Sequence, residues 1–154
     1  MFNILSNYNL DKKRVLVVDD NLDNALLLAT LLLMEGYIVD IANCGYTAIS
    51  KIEANPPSLV LLDYMMPGID GIEVAQWVRK NRPSVAIVLV TAYIDLDDLY
   101  SDKVKLDGII TKPINFEETI LLVVDILEPG KQITTQRTNK YQDTNYLSHF
   151  LEKF

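Results

Sequence analysis

The stretch VLLDYMMPGIDG at residues 60–71 carries an apolar run directly into Asp63 and then turns at Pro67-Gly68. A carboxylate beside a hydrophobic core is costly unless it is paired, bound to a metal or open to solvent. The pattern predicts that a buried strand ends at Asp63 and that the chain then leaves the sheet. Asp63 is therefore either a functional group or an ordinary turn residue, and the rest of the chain must decide between the two.

Apolar runs and helix-like segments alternate along the rest of the sequence. The runs are continuous rather than alternating, which is typical of strands covered on both faces. The predicted strands are 14–18, 37–42, 59–62, 85–90 and 108–111. The predicted helices are 21–35, 47–54, 71–80, a weaker one at 95–103, and 115–127. This order predicts an α/β fold with an open, doubly wound, five-stranded parallel sheet.

Composition limits the classes of function. The chain has 154 residues, 49% of them hydrophobic, and a net charge of -7, which argues against non-specific binding to nucleic acid or anionic membranes. Cys44 is the only cysteine, so no internal disulfide can form. The N-terminus lacks the order of a secretory signal, and the longest apolar run, 25–34, is shorter than the roughly 20 residues that span a bilayer. We expect a soluble cytoplasmic protein without membrane contact.

The chain divides into three parts. Residues 1–12 form an N-terminal extension, 13–128 the domain, and 129–154 a tail that begins polar and aperiodic. A short amphipathic helix is predicted at the end of the tail, with these residues on one side: Tyr146, Leu147, Phe150, Leu151 and Phe154. Nine residues are too few for a stable free helix, so this segment needs a surface to pack on.

Polar residues stand at the ends of four predicted strands. In open parallel sheets, ligands bind outside the carboxyl ends of the strands, near the switch point in strand order. The strand-end residues are Asp19, Asp20, Asp63, Thr91 and Lys112. Three carboxylates, one hydroxyl and one ammonium are therefore predicted to meet at one edge of the sheet. A single strand-end aspartate is common by chance, but the full set is not.

This set of residues predicts phosphoryl chemistry. Clustered carboxylates repel one another unless a cation lies among them, and hard oxygen ligands favour Mg²⁺ or Ca²⁺. An aspartate can itself act as a nucleophile and form an acyl phosphate. Thr91 and Lys112 could then stabilise the oxygens of the transferred group.

The sequence closely resembles the receiver domain of bacterial two-component response regulators, the CheY-like fold. The motifs that carry the resemblance are VVDDN at 17–21, LLDYMMPGIDG at 61–71, VTA at 90–92 and TKP at 111–113. The resemblance covers roughly residues 13–127 and implies the strand order 2-1-3-4-5 for the sheet.

The resemblance also implies how the acidic residues act. Asp63 would accept a phosphoryl group from a sensor histidine kinase or a phosphotransfer protein. Asp20 and Asp63 would bind Mg²⁺ directly, Asp19 would act largely through water, and the backbone carbonyl of Met65 would be the third protein ligand. Such a protein is a signalling switch rather than an enzyme, with self-catalysed phosphorylation and dephosphorylation only.

The resemblance assigns the remaining two site residues and also shows a departure. Lys112 would pair with the acyl phosphate, Thr91 would move towards it, and the Lys112-Pro113 bond is commonly cis in this family. Receivers often place Tyr or Phe three residues before the lysine, but this chain has Ile109. Tyr93 or Tyr100 could substitute for the missing aromatic residue, although a role as surface aromatics is favoured for both.

The sequence is also compatible with other interpretations of the chain's context and function. The chain is either a stand-alone receiver whose output is protein contact or a receiver cut from a larger regulator or hybrid kinase. An aspartyl-nucleophile phosphohydrolase is less favoured, because Met65 stands where such enzymes place a second acid. The predicted helix at 21–35 is apolar nearly all round, so either it exposes several leucines or the tail or a second copy in a homodimer covers it.

Overall fold

The computed structural model describes residues 12–92 and 104–131, and five strands within these ranges form one parallel sheet. The strands are β1 (Arg14–Val18), β2 (Ile38–Ala42), β3 (Leu59–Asp63), β4 (Ala86–Thr91) and β5 (Gly108–Thr111). The helices in the described ranges are α1 (Leu22–Met34), α2 (Gly45–Ala54), α3 (Gly71–Asn81) and α4 (Phe116–Leu127). The sheet order β2-β1-β3-β4-β5 confirms the predicted doubly wound fold and the strand order implied by the resemblance.

Most element boundaries fall within one residue of the prediction. Helix α2 is the exception: it begins at Gly45 rather than at residue 47. Cys44 caps it, since the Cys44 Sγ accepts a hydrogen bond from the backbone N–H of Thr47 at 3.5 Å. The predicted helix at 95–103, residues 1–11 and residues 132–154 lie outside the described residues, so the division into extension, domain and tail stays a prediction.

The sheet separates two hydrophobic clusters. Helices α1 and α4 pack on one face, and α2 and α3 pack on the other. Every residue of β3 is buried, which explains why its sequence is apolar at successive positions rather than at alternate ones. In the part of the chain that the structure describes, no helix has the length and apolar character needed to cross a membrane.

Three of the four helices in the described ranges begin with an asparagine or aspartate side-chain cap close to the carboxyl edge of the sheet. Asn21 caps α1 and Asn115 caps α4, each by accepting a backbone N–H three residues on. Asp70 caps α3, and Glu73 reaches back to the backbone N–H of Asp70 to complete a capping box. Each cap contributes about 1 kcal/mol and fixes where its helix begins.

Candidate functional site

The register of the sheet aligns the strand ends. Leu62 lies opposite Val18, so the residue after each, Asp63 and Asp19, comes next to the other at the same edge. Strand β4 continues the alignment, since Thr91 pairs with Thr111, the residue immediately before Lys112.

Three carboxylates meet at this edge and form what we call the acidic cluster, made of Asp19, Asp20 and Asp63. Their ligand oxygens all lie within 4.8 Å of one another. Asp19 and Asp63 are buried and Asp20 is exposed, so the cluster opens to solvent on one side. The Lys112 Nζ lies 3.3 Å from Asp19 Oδ2 and 3.2 Å from Asp63 Oδ1.

The surroundings of Asp63, the candidate phosphoacceptor, shift its pKa. Burial, with the neighbouring charge of Asp19, raises the pKa of Asp63 above its ordinary value, although Lys112 acts in the opposite direction. Burial lowers the pKa of Lys112, but the hydrogen bonds and negative charges of Asp63 and Asp19 outweigh this effect and raise it overall. Lys112 is therefore held as an ammonium between two carboxylates and neutralises only one of the three negative charges.

Backbone hydrogen bonds hold the site residues in place. The backbone N–H of Asn21 donates to Asp19 Oδ1 at 2.9 Å, which ties this carboxylate to the cap of α1. The backbone N–H of Lys112 donates to the carbonyl oxygen of Thr91 at 2.8 Å, so these two residues lie side by side. The Lys112-Pro113 peptide bond is cis, as the resemblance implied.

The loop after Asp63 leaves the sheet and returns to it within a few residues. Gly68 has a φ of 84°, a conformation that suits glycine, and the Gly71 N–H donates to the Tyr64 carbonyl at 2.9 Å. The side chain of Met65 is exposed and that of Met66 is buried. This geometry explains why Pro67 and Gly68 follow Asp63 so closely in the sequence.

Gly71 has a role that sequence reasoning missed. A Cβ at this position would overlap the Asp63 carbonyl oxygen and would lie 2.9 Å from the Cα of Tyr64. Only glycine lets the first turn of α3 approach the end of β3 this closely. Its position just after the cap residue Asp70 was a visible signal, but the sequence could not show which backbone it approaches.

A second unpredicted feature holds the segment before β5. Arg79 on α3 donates to the carboxylate of Asp107 and to the carbonyls of Lys105 at 2.7 Å and Val85 at 2.8 Å. Asp107 also accepts the backbone N–H of Ile87 at 2.8 Å. These contacts fix the approach to β5 and hence the position of Lys112 at its far end.

The structure brings together most of the predicted site. Asp19, Asp20, Asp63 and Lys112 are mutual neighbours, and Thr91 is buried at the end of the adjoining strand beside Lys112. The metal role assigned to the Met65 carbonyl stays a prediction. The predicted alternatives Tyr93 and Tyr100 lie outside the described residues. Ile109 is partly buried against the cluster that contains α2 and α3.

The donor set of the acidic cluster fits a hard divalent cation. It offers oxygen ligands only, two of its members are buried, and one ammonium leaves two negative charges uncompensated. Mg²⁺ is commonly held by one or two carboxylates with waters completing its shell, and the open side at Asp20 leaves room for them.

A parallel sheet of this order with an acidic pocket at its carboxyl edge has the architecture of a receiver domain. Residues 15–124, more than two thirds of the chain, match the family model described as the response regulator receiver domain. The chain therefore belongs to the response regulator receiver family of two-component signalling.

Two curated relatives give the same family and differ in length. The chain is 36% identical over 114 residues to a transcriptional regulatory protein CpxR homolog from Haemophilus influenzae, covering 74% of this chain and 50% of the relative. It is 35% identical over 130 residues to the transcriptional regulatory protein ResD from Bacillus subtilis, covering 84% and 54% respectively. The chain thus spans about half the length of these relatives.

Solved structures agree with the fold. The response regulator protein TrrA from Thermotoga maritima, in complex with Mg²⁺ and BeF, is 40% identical, with a TM-score of 0.68 over 74% of this chain and 98% of that one. A CheY-like receiver domain protein from Methanospirillum hungatei is 33% identical, with a TM-score of 0.68 over 76% and 94%.

Proposed function

We propose that this receiver domain is a phosphorylation-dependent switch in which Asp63 accepts a phosphoryl group from a sensor histidine kinase or a phosphotransfer protein. The observation that carries the proposal is the acidic cluster with Lys112 between Asp19 and Asp63, at 3.3 and 3.2 Å. This arrangement combines a nucleophile, a cation site and a fixed positive charge at one sheet edge.

The acidic cluster is the proposed Mg²⁺ site. Asp20 and Asp63 would hold the ion directly, Asp19 through water, and the Met65 carbonyl would complete the protein ligands. When bound, Mg²⁺ supplies positive charge that balances the cluster and the phosphoryl oxygens. The Mg²⁺-bound structure of TrrA supports the assignment, since that protein is 40% identical to this chain.

The residues of this chain account for the transfer step. A carboxylate oxygen of Asp63 attacks the phosphorus atom, and the new O–P bond forms as the donor's own bond to phosphorus breaks. The electron pair of the broken bond leaves with the donor group. Lys112 stabilises the negative charge of the transferred group, and the Thr91 hydroxyl donates to one of its oxygens. Water later attacks the same phosphorus, the Asp63 O–P bond breaks, and the step releases inorganic phosphate and returns Asp63 to a carboxylate.

The charge change provides the switch. A phosphoryl group brings about two negative charges, where the carboxylate had one, into a site already built around Lys112. Two conformations that differ in how well they hold this group are then populated differently. Thr91 is buried beside Lys112 and is the residue best placed to report the change to its strand.

An enzyme that turns over phosphate esters is not favoured. Two residues after Asp63, the Met65 side chain is 69% exposed and has no proton to donate to a leaving group. Steady-state hydrolysis of p-nitrophenyl phosphate with Mg²⁺ separates the two functions, since a switch gives at most slow release and a phosphohydrolase gives many turnovers.

The proposed role as a phosphorylation-dependent switch also suggests which partners the receiver contacts and how it passes on its signal. The relatives are named transcriptional regulators, and this chain spans about half of their length. We propose that the receiver itself acts through protein contact, without touching nucleic acid, in line with its net charge of -7. A cytoplasmic location is proposed on the same grounds, since its phosphoryl donors are kinase or phosphotransfer domains.

The experiment that tests the proposal is phosphorylation by acetyl phosphate with Mg²⁺, followed by intact mass measurement. The wild type should gain the mass of one phosphoryl group, and Asp63→Asn should gain none. Asp23→Asn is the matched control, because it removes an exposed carboxylate from the first turn of α1 and should be phosphorylated like the wild type. Equal phosphorylation of Asp63→Asn, or none in the wild type, would overturn the assignment.

A further inference from the structure

Helix α1 presents a row of leucines to solvent, which we call the leucine face: Leu22, Leu26 and Leu33. These side chains are 62%, 47% and 42% exposed, and their spacing of four and seven residues places them on one side of the helix. Leu27, at 43% exposed, extends the apolar surface around the helix. Several large apolar side chains exposed together mark a surface that another element covers.

The chain leaves the domain beside this helix. Tyr37 follows the C-terminal end of α1, and its hydroxyl donates to Glu128 Oε2 at 3.2 Å. Glu128 is the C-cap residue that follows α4, so the chain beyond it starts next to the end of α1. The two helices also pack on the same face of the sheet.

The chain beyond Lys131 is long enough to reach along the whole length of helix α1. Helix α1 has 13 residues, which makes it about 20 Å long. Residues 132–145 separate Lys131 from residue 146, and a random coil of that length has a root-mean-square end-to-end distance of about 20 Å. Residues 146–154 can therefore reach any point on the leucine face.

The sequence of residues 146–154 has the pattern that this surface requires. We propose that this segment, which lies outside the described residues, packs intramolecularly on the leucine face of α1. Its apolar positions repeat at helical spacing: Tyr146, Leu147, Phe150, Leu151 and Phe154. Its polar residues Ser148 and Glu152 fall on the opposite side of the same helical projection. The contact is independent of phosphorylation at Asp63 and of Mg²⁺.

Hydrogen exchange of the full chain tests the contact. Amides of residues 146–154 should exchange at least tenfold more slowly than in a synthetic peptide of the same sequence. Phe150→Asp and Leu26→Asp should each abolish this protection, since each places a charge in the proposed contact. Ser148→Asp is the matched control, because it adds the same charge on the polar side, and should leave the protection unchanged.

Three results would overturn the proposal. The first is exchange of 146–154 at the rate of the free peptide. The second is protection that Leu26→Asp leaves intact although Phe150→Asp removes it, which would place the segment on another surface. The third is protection that rises with protein concentration, which would make a second copy the occupant. Leu26 is already half exposed, so its substitution is expected to leave the domain folded, and a circular dichroism spectrum checks this.

Discussion

Replacing Asp63 with asparagine should stabilise the protein in the absence of divalent cations. The pKa of Asp63 is raised by burial and by the charge of Asp19, so the folded protein disfavours its ionised form. Asparagine keeps nearly the same shape and a hydrogen-bond acceptor for Lys112, but it removes the charge. At neutral pH the substitution therefore relieves a penalty that the wild type carries only when folded.

The separations in the site set the magnitude. With an effective dielectric constant of about 20, two carboxylates separated by 4.8 Å, the upper limit within the acidic cluster, repel by roughly 3 kcal/mol, and Lys112 at 3.2 Å attracts by roughly 5 kcal/mol. Burial of the Asp63 carboxylate, the largest cause of its raised pKa, adds to the repulsion from Asp19 and Asp20, and together they exceed the attraction by an amount that solvent screening at exposed Asp20 reduces. We expect Asp63→Asn to raise the free energy of unfolding by about 1 kcal/mol, which is about 2–4 °C in melting temperature for a chain of this size.

Adding Mg²⁺ should remove this advantage. An ion that binds only the folded protein adds about 2.7 kcal/mol at one hundred times its dissociation constant, and the wild type offers one more carboxylate to it than the variant does. The assay is thermal unfolding by circular dichroism in EDTA and in MgCl₂. Asp23→Asn is the control, since its carboxylate is exposed on α1 outside the acidic cluster.

Two results would refute this reasoning. If Asp63→Asn were no more stable than the wild type in EDTA, the cluster would not carry the repulsion that its geometry implies. If Mg²⁺ stabilised the wild type and Asp63→Asn equally, the ion would bind somewhere other than the acidic cluster.

Three further predictions concern the surroundings of the site and its pH dependence. Gly71→Ala should lower the free energy of unfolding by about 1–3 kcal/mol and slow phosphorylation, because the added Cβ forces the Asp63 backbone to move. Gly108→Ala, whose Cβ meets only the Leu122 side chain, should lose less stability in urea unfolding. Equal losses for the two variants would contradict the close approach at Gly71. Arg79→Ala should lower the free energy of unfolding by about 2 kcal/mol with or without Mg²⁺, since it removes the hydrogen bonds to Asp107 and two carbonyls. A loss of stability seen only with Mg²⁺ would contradict a structural role for Arg79 in holding the segment before β5. In EDTA, the stability that Asp63→Asn gains over the wild type should grow as pH rises from about 4 to about 7. Over this range the wild-type Asp63 loses its proton, and because its pKa is raised in the folded protein, this ionisation destabilises the folded state. A gain that does not change with pH would contradict the raised pKa.

The strand positions, and the meeting of the strand-end residues at one edge of the sheet, could be predicted from the sequence for a physical reason. A strand covered on both faces is apolar at successive positions, and β3 is buried throughout and apolar from Leu59 to Leu62. Parallel strands all end at the same edge, so the residues after them meet there whatever their separation along the chain. The order of the strands came from the family resemblance, since apolar runs do not specify which strand pairs with which.

Contacts between residues far apart in the sequence could not be predicted from it. The close approach of Gly71 to Asp63 and the bonds from Arg79 to the segment before β5 depend on distances that arise only after folding. The early start of α2 was missed because Cys44 is a weak capping residue with little sequence signal. The capping box of Asp70 and Glu73 was not predicted either, although an acidic pair three residues apart at the start of an amphipathic helix is its sequence signature.

The role of Asp63 as phosphoacceptor is tested most directly by a crystal structure of the full chain with Mg²⁺ and beryllium fluoride, which stands in for a phosphoryl group. We expect beryllium bonded to a carboxylate oxygen of Asp63, with Mg²⁺ contacting Asp20 and Asp63. Fluorine atoms should lie within hydrogen-bond distance of the Lys112 ammonium and the Thr91 hydroxyl. Beryllium fluoride bound to another residue, or Mg²⁺ lying outside the acidic cluster, would contradict it.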